Sequence, residues 1–230
     1  MIISHKYKFI FIKTAKTAGT SIEVFLSQHC SENDIVTPIN PPVEPHIARN
    51  YTGFWNPFPE LLYFKARNIK SVIWHFLKKQ KFYNHIPGSI VQQRISPEMW
   101  NEYFKFCVER NPWDMTLSYY YMMNHRLGAR PDFDEYIKKG NFRSNYYMYT
   151  NITGDLILDK VIKYETLAEQ LGEVFCSLGI PFTGTLGVRA KSEYRQDRRP
   201  YQEVFSDQQR RVIEKAFEKE IKMHNYSFYP

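Results

Sequence analysis

"FIFIKTAKTAGTSIEVFL", residues 9–26, is the stretch that decides the fold. A hydrophobic run is followed by a loop of small and hydroxyl residues, and then by a helical pattern with apolar positions at Ile22, Phe25 and Leu26. Backbone amides at a helix N-terminus carry partial positive charge, so strand, small-residue loop and helix in this order are typical of an anion site. The stretch predicts an α/β protein that binds an anion in the loop of residues 13–21.

The remainder of the chain repeats the alternation of strand and helix. "YFKFCV", residues 103–108, and "DKVIKYETL", residues 159–167, read as strands. Helix starts are predicted at Ser96-Pro97, at Asn111-Pro112, at Thr166 with Glu169, and at Ser206 with Gln209. We therefore expect a single domain over residues 1–230, in which a central parallel sheet is flanked by helices in a three-layer, P-loop-like fold.

The charge of the chain is positive and unevenly distributed. The 230 residues have a formal net charge of +7, and no acidic residue occurs between Glu60 and Glu98. That interval contains Lys65, Arg67, Lys70, Lys78, Lys79, Lys81 and Arg94, and a second basic patch contains Arg189, Lys191, Arg195, Arg198 and Arg199. Such patches attract nucleic acid, membrane surfaces, anionic glycans or nucleotides, and charge alone does not choose among them.

Neither a membrane span nor a metal site is expected from the sequence. No apolar run reaches the roughly 18 residues that a spanning helix needs, and the first residues lack the apolar core of a signal peptide. The three cysteines, Cys30, Cys107 and Cys176, have no metal-ligand spacing. We expect a cytoplasmic protein without a metal.

The loop after the first predicted strand differs from that of an ATPase. A Walker A loop requires Gly-x-x-x-x-Gly-Lys-Ser/Thr, with the lysine directly after the second glycine. Here Lys16 precedes Gly19 by three positions, and there is no first glycine. The spacing disfavours a P-loop ATPase.

Two motifs resemble a known enzyme family. "KTAGTS", residues 16–21, after one strand and "RNPWDMTLSYY", residues 110–120, after another are similar to motifs of the sulfotransferases that use 3′-phosphoadenosine 5′-phosphosulfate (PAPS). The carbohydrate-type branch, which includes soluble bacterial relatives, resembles the chain most. The resemblance covers most of the chain and extends to "VIKYETL", residues 161–167, and "KSEYRQDRRPYQEVF", residues 191–205.

The resemblance implies a set of nucleotide-binding residues. It assigns the 5′-phosphosulfate to Lys16, Thr17, Ala18, Gly19, Thr20 and Ser21. It assigns the 3′-phosphate to Arg110 and Ser118, and we expect Asp114 to orient Arg110. Lys191 and Arg195 match a loop that closes over the nucleotide, although Ala190 stands where the family often has asparagine. The cosubstrate implied is PAPS.

Sulfuryl transfer to a hydroxyl needs a base, a cation at the leaving phosphate, and in-line positioning. Lys16 is the predicted cation. Among seven histidines, His85 in "FYNHIPGSIVQQRIS" is the predicted general base, because relatives of the carbohydrate group resemble this segment. His46 is the second candidate, and Glu23 is a further one. The segment 34–95 is expected to be an insertion that shapes the acceptor pocket.

Two other functions remain as alternatives. A nucleotide kinase would need a true Walker loop and an acidic residue for magnesium. A basic nucleic-acid-binding module would account for the charge, but no helix-turn-helix, zinc-ligand or RNA-binding signature is present. The prediction is thus a sulfotransferase whose acceptor is a hydroxyl-bearing glycan or small molecule, anionic or neutral.

Overall fold

The computed structural model describes residues 1–63, 66–128, 132–187, 194 and 197–229. The described strands are β1 (Ile2–Ser4), β2 (Phe9–Phe11), β3 (Ile35–Val36), β4 (Phe104–Glu109) and β5 (Lys160–Lys163). They form one sheet in the order β3-β1-β2-β4-β5. Strands β2, β4 and β5 are parallel, whereas β1 is antiparallel to both β2 and β3. The predicted α/β class is confirmed, with a parallel centre and an antiparallel side that the sequence did not indicate.

Helices surround this sheet. They are α1 (Gly19–His29), α2 (Phe58–Tyr63), α3 (Ala66–Leu77), α4 (Gly88–Arg94), α5 (Pro97–Glu102), α6 (Pro112–Leu127), α7 (Phe133–Lys139), α8 (Tyr146–Tyr149), α9 (Leu167–Ser177), α10 (Tyr201–Val204), α11 (Asp207–Ala216) and α12 (Glu218–His224). A short 3-10 helix, Tyr164–Thr166, precedes α9.

The core lies on both faces of the sheet. Successive strand residues point to opposite faces, so Ile10 packs in one cluster with residues of α4 and α8, and Phe9 and Phe11 pack in another with residues of α1 and α9. Burial on both faces explains why the central strands read as continuous hydrophobic runs. The arrangement of helix layer, sheet and helix layer is the three-layer fold that was predicted.

Local caps fix several of the helix starts. The Ser96 hydroxyl accepts a hydrogen bond from Met99 N at 3.2 Å, and Asn111 Oδ1 accepts one from Trp113 N at 3.2 Å. Ser206 forms the predicted capping box with Gln209. The capping box predicted at Thr166 is wrong, because that residue makes no side-chain cap hydrogen bond and instead ends the 3-10 helix.

The segment 34–95 contains β3, α2, α3 and α4, and a buried ion pair within it joins α2 to the end of α4. Arg94 donates two hydrogen bonds to the Glu60 carboxylate, at 2.6 and 2.7 Å, and a third to the Lys81 carbonyl at 2.6 Å. The Arg94 guanidinium also stacks on Trp55, 4.0 Å from the ring centroid.

Among the described residues, no helix is long and apolar enough to cross a membrane.

Candidate active site

The site is built on the loop between β2 and α1, residues 13–18, which we call the cradle loop. Lys16 and Ala18 have positive φ angles of 62° and 57°. Where left- and right-handed backbone conformations alternate, successive N–H groups point toward one side and form an anion-binding concavity. Ala18 is the N-cap of α1 and makes no side-chain cap hydrogen bond. The first amides of a helix have no acceptor within it, so the start of α1 extends the concavity.

Gly19 is required at the start of α1 because there is no room for a side chain. A Cβ atom on Gly19 would lie 2.7 Å from Lys13 Cγ and 3.3 Å from the Thr14 carbonyl oxygen. The close approach of the loop to the helix therefore depends on glycine. Thr20 and Ser21 follow in the first turn and are buried.

Hydroxyl groups attach the cradle loop to the sheet. Thr14 Oγ1 donates to the carbonyl of Val108 in β4, and it lies 2.8 Å from Thr17 Oγ1. Both threonines are buried. Because the Thr17 side chain bonds to its own loop, the Thr17 backbone amide is the group it can offer to a ligand.

Asn145, which precedes α8, is a residue that the sequence analysis missed. Its Oδ1 accepts a hydrogen bond from Ala15 N at 2.9 Å, and its Nδ2 donates to the Ala15 carbonyl at 3.1 Å. The same Nδ2 lies 3.2 Å from Glu109 Oε1 at the end of β4. Asn145 is only 1% exposed. It fixes the backbone of the cradle loop from a position 130 residues away, and no local spacing in the sequence signals that contact.

Arg110 brings the second motif to the cradle loop. β2 and β4 are parallel, so the residues that follow them lie at the same sheet edge. Arg110 Nε and NH2 donate to Asp114 Oδ2 at 2.9 and 2.6 Å, which is the orienting contact that was expected. Arg110 NH1 donates to the Lys16 carbonyl at 3.1 Å. The guanidinium also lies 4.2 Å from the ring centroid of Tyr164. Three of the quoted motifs therefore meet at Arg110.

The remaining predicted nucleotide-binding residues are only partly described. Ser118 is half-buried on α6, one turn after Asp114. The Lys16 ammonium lies 5.5 Å from the ring centroid of Tyr194, in the C-terminal motif. Lys191 and Arg195 lie outside the described residues, as does Ala190.

His85 lies against the cradle loop. Its Nδ1 is 2.9 Å from the Lys13 carbonyl oxygen. A carbonyl can only accept, so Nδ1 carries the proton and Nε2 keeps its lone pair. Burial, and then the positive charge of Lys13, lower the pKa of His85 to about 3. The imidazole is therefore neutral at physiological pH and has the tautomer that a base needs.

The second candidate base, His46, has a weaker connection to the loop. Burial, and then the positive charges of the Met1 amino group and Lys13, lower its pKa to about 4. Its buried Nε2 has no hydrogen-bond partner among the described residues. Since His85 bonds directly to the cradle loop and His46 does not, the geometry favours His85.

Two glutamates near the loop differ in their surroundings. Glu23 is fully buried and pairs with the Lys13 ammonium and the Met1 amino group, which is a structural role rather than that of an acid or base. Glu109 accepts hydrogen bonds from Arg110 N at 2.9 Å and from Asn145. Burial raises the pKa of Glu109 to about 7. Glu109 therefore links Asn145, which holds the cradle loop, to the backbone of Arg110.

Comparisons with known proteins give distant similarities. No family model matches the chain. An uncharacterized protein of Archaeoglobus fulgidus is 28% identical over 101 residues, which are 42% of this chain and 84% of that protein. The crystal structure of a sulfotransferase from Alicyclobacillus acidocaldarius aligns over 96% of both chains, with 16% identity and a TM-score of 0.45. A likeness this distant carries no argument about activity.

Proposed function

We propose that this protein is a PAPS-dependent sulfotransferase that moves a sulfuryl group to an acceptor hydroxyl, with a carbohydrate as the acceptor class. The observation that carries the proposal is the hydrogen bond from Arg110 NH1 to the Lys16 carbonyl. It joins two motifs that the resemblance to the sulfotransferases assigns to opposite ends of one nucleotide. The contact supports one shared ligand, because it holds the Arg110 guanidinium against the loop proposed to bind the other end of the nucleotide.

The groups around the cradle loop suit a nucleotide with phosphates at both ends. Backbone amides from the loop and the start of α1 converge at one end, where Gly19 permits close approach. Arg110 presents a planar guanidinium, which binds phosphate through several donors, and Asp114 fixes its orientation. Ser118 adds a hydroxyl on the same helix. Lys191 and Arg195 complete the proposed set of residues that bind the nucleotide.

Bound PAPS supplies an activated sulfuryl group on a phosphate leaving group. Lys16 neutralises the negative charge that develops on that phosphate, as cations do in phosphoryl transfer. His85 Nε2 accepts the proton of the attacking hydroxyl, while the Lys13 carbonyl holds the ring through Nδ1. The cradle loop positions both groups, because Lys13 and Lys16 belong to it.

The organisation of the chain follows from this assignment. Residues 1–230 form one sulfotransferase domain, and the segment 34–95 shapes the acceptor pocket because His85 lies near its end. We place the protein in the cytoplasm. The reaction as proposed uses no metal.

Binding of adenosine 3′,5′-bisphosphate (PAP) tests the nucleotide assignment against its rivals. Thermal unfolding is measured with PAP, with ATP and magnesium, and with a short DNA duplex. Ligand at about 100 times Kd adds about 2.7 kcal/mol of stability, which raises Tm by roughly 5–10 °C for a chain of this size. We expect that shift with PAP. A larger shift with ATP would favour a kinase, and a shift with DNA alone would favour the nucleic-acid-binding module.

Turnover tests the catalytic roles. Transfer of labelled sulfate from PAPS is followed over a panel of mono- and oligosaccharides, with Lys16→Ala and His85→Ala as the test variants. Both should lose turnover while they keep the wild-type Tm within a few degrees. Lys138→Ala, an exposed lysine on α7, is the control and should be fully active. An active His85→Ala variant would remove His85 as the base.

A further inference from the structure

Helix α3 presents an apolar face to solvent. Ile73, Trp74 and Leu77 are 48%, 53% and 75% exposed, and they lie together on the surface of the helix because positions three and four apart are neighbours. The opposite side is anchored. Val72 is buried, and Phe76 contacts the rings of Phe54 and Trp55. The exposed residues are thus held outward by a packed helix.

The surroundings of this face are positively charged. Lys70 is exposed on α3, and the exposed Lys78 follows directly after Leu77, the last residue of the helix. No acidic residue occurs between Glu60 and Glu98 in the sequence. Glu60 itself is fully buried and paired with Arg94, so it does not offset the lysines at the surface. Apolar and cationic groups therefore occupy one surface, which we call the α3 surface: Lys70, Ile73, Trp74, Leu77 and Lys78.

We propose that the α3 surface binds the face of a membrane that contains anionic phospholipids. Helices that lie in the membrane interface combine tryptophan and aliphatic side chains, which enter the boundary between headgroups and acyl chains, with lysines that meet lipid phosphates. The α3 surface has this chemistry, and its positive charge complements that of the lipids. This binding is peripheral and does not depend on the proposed sulfotransferase activity.

The other occupants fit the surface less well. Nucleic acid would engage the lysines through its phosphates, but it would leave the aliphatic side chains of Ile73 and Leu77 without a partner. A second copy of the chain, packed through the same surface by two-fold symmetry, would bring the surface against itself. Lysines would then face lysines across the interface, which opposes association.

Cosedimentation with vesicles tests the proposal. The full chain is mixed with vesicles of phosphatidylcholine plus phosphatidylserine, and with vesicles of phosphatidylcholine alone. We expect binding to the first that weakens with added salt, and little binding to the second. Removal of one lysine charge near a membrane surface weakens binding about fivefold. The double variant Lys70→Gln/Lys78→Gln should therefore bind roughly 25-fold more weakly, and Leu77→Ser about tenfold more weakly.

Matched controls separate the α3 surface from the remainder of the molecule. Lys215→Gln on α11 and Leu127→Ser at the end of α6 remove an exposed lysine and a 66% exposed leucine elsewhere. Both should bind vesicles as the wild type does. Tryptophan emission should shift to shorter wavelength on binding, and this shift should be lost in Trp74→Phe.

Three results would overturn the proposal. The first is vesicle binding that is absent, or equal for the α3 variants and their controls. The second is a dimer seen by light scattering that Leu77→Ser dissociates, since the α3 surface would then be covered by a second copy. Binding to an RNA or a heparin fragment without binding to anionic vesicles would likewise exclude the membrane as partner.

Discussion

Replacing Asn145 with alanine should weaken both the fold and the nucleotide site. The substitution removes the two hydrogen bonds to the backbone of Ala15 and the one to Glu109. Each buried polar group left without a partner costs about 1–3 kcal/mol. Ala15 is only half-buried, so water can take the place of some of the lost hydrogen bonds. We expect the free energy of unfolding to fall by about 2–3 kcal/mol in total. For a chain of this size, Tm should fall by roughly 4–12 °C.

The same substitution should lower the affinity for PAP, because the cradle loop would no longer be held in its bound shape. We expect Kd, measured by calorimetry well below Tm, to rise about tenfold, which corresponds to about 1.4 kcal/mol. Asn101→Ala, at an exposed position on α5, is the control and should change neither Tm nor Kd. If Asn145→Ala lowered Tm as estimated but bound PAP like the control, Asn145 would stabilise the fold without positioning the loop.

Three further predictions concern neighbouring groups. The pKa of Glu109 is raised from 4.5 to about 7 by burial, so its ionisation destabilises the fold increasingly as pH rises through this range. In urea unfolding, Glu109→Gln should be more stable than wild type by about 3 kcal/mol near pH 8. The same variant should show no gain in stability at pH 4.5. With a pKa of about 3 for His85, kcat/KM should show no inflection near the ordinary imidazole pKa. The inflection of kcat should lie at higher pH than that of kcat/KM, since a bound anion favours the imidazolium. An acid limb of kcat/KM near pH 6.5 would contradict the assignment of His85 as the base. Gly19→Ala should weaken PAP binding measured by calorimetry, because its Cβ would lie 2.7 Å from Lys13 Cγ. Gly172→Ala on α9 is the control and should leave the affinity unchanged, because its Cβ would meet no atom closer than 3.8 Å.

Local signals predicted much of the fold. The cap-plus-proline pairs at Ser96 and Asn111 mark helix starts that depend on adjacent residues alone, and both were correct. The continuous hydrophobic run at the centre of the sheet also has a local cause, because a strand buried on both faces needs apolar side chains throughout. The strands β1 and β3 were missed because they contain three and two residues, too few for a periodic pattern.

The candidate site was predictable where one segment provides the chemistry. The cradle loop lies directly after β2, and Arg110 directly after β4, so strand order and direction bring both to one edge. Asn145 and Glu109 act through contacts between distant segments, and nothing in the residues beside them specifies those partners. Thr166 shows the opposite failure, since its local pattern favoured a capping box but the chain forms a 3-10 turn there.

The most direct test of the central claim is whether Arg110 and the cradle loop bind one nucleotide together. Calorimetry with PAP is compared for wild type, Arg110→Ala and Arg126→Ala, the last an exposed arginine at the far end of α6. A hydrogen bond to a charged group contributes about 1.5–3 kcal/mol, so Arg110→Ala should raise Kd by roughly 10- to 100-fold, and Arg126→Ala should leave it unchanged. Equal affinities for all three proteins would show that the two motifs do not share a ligand.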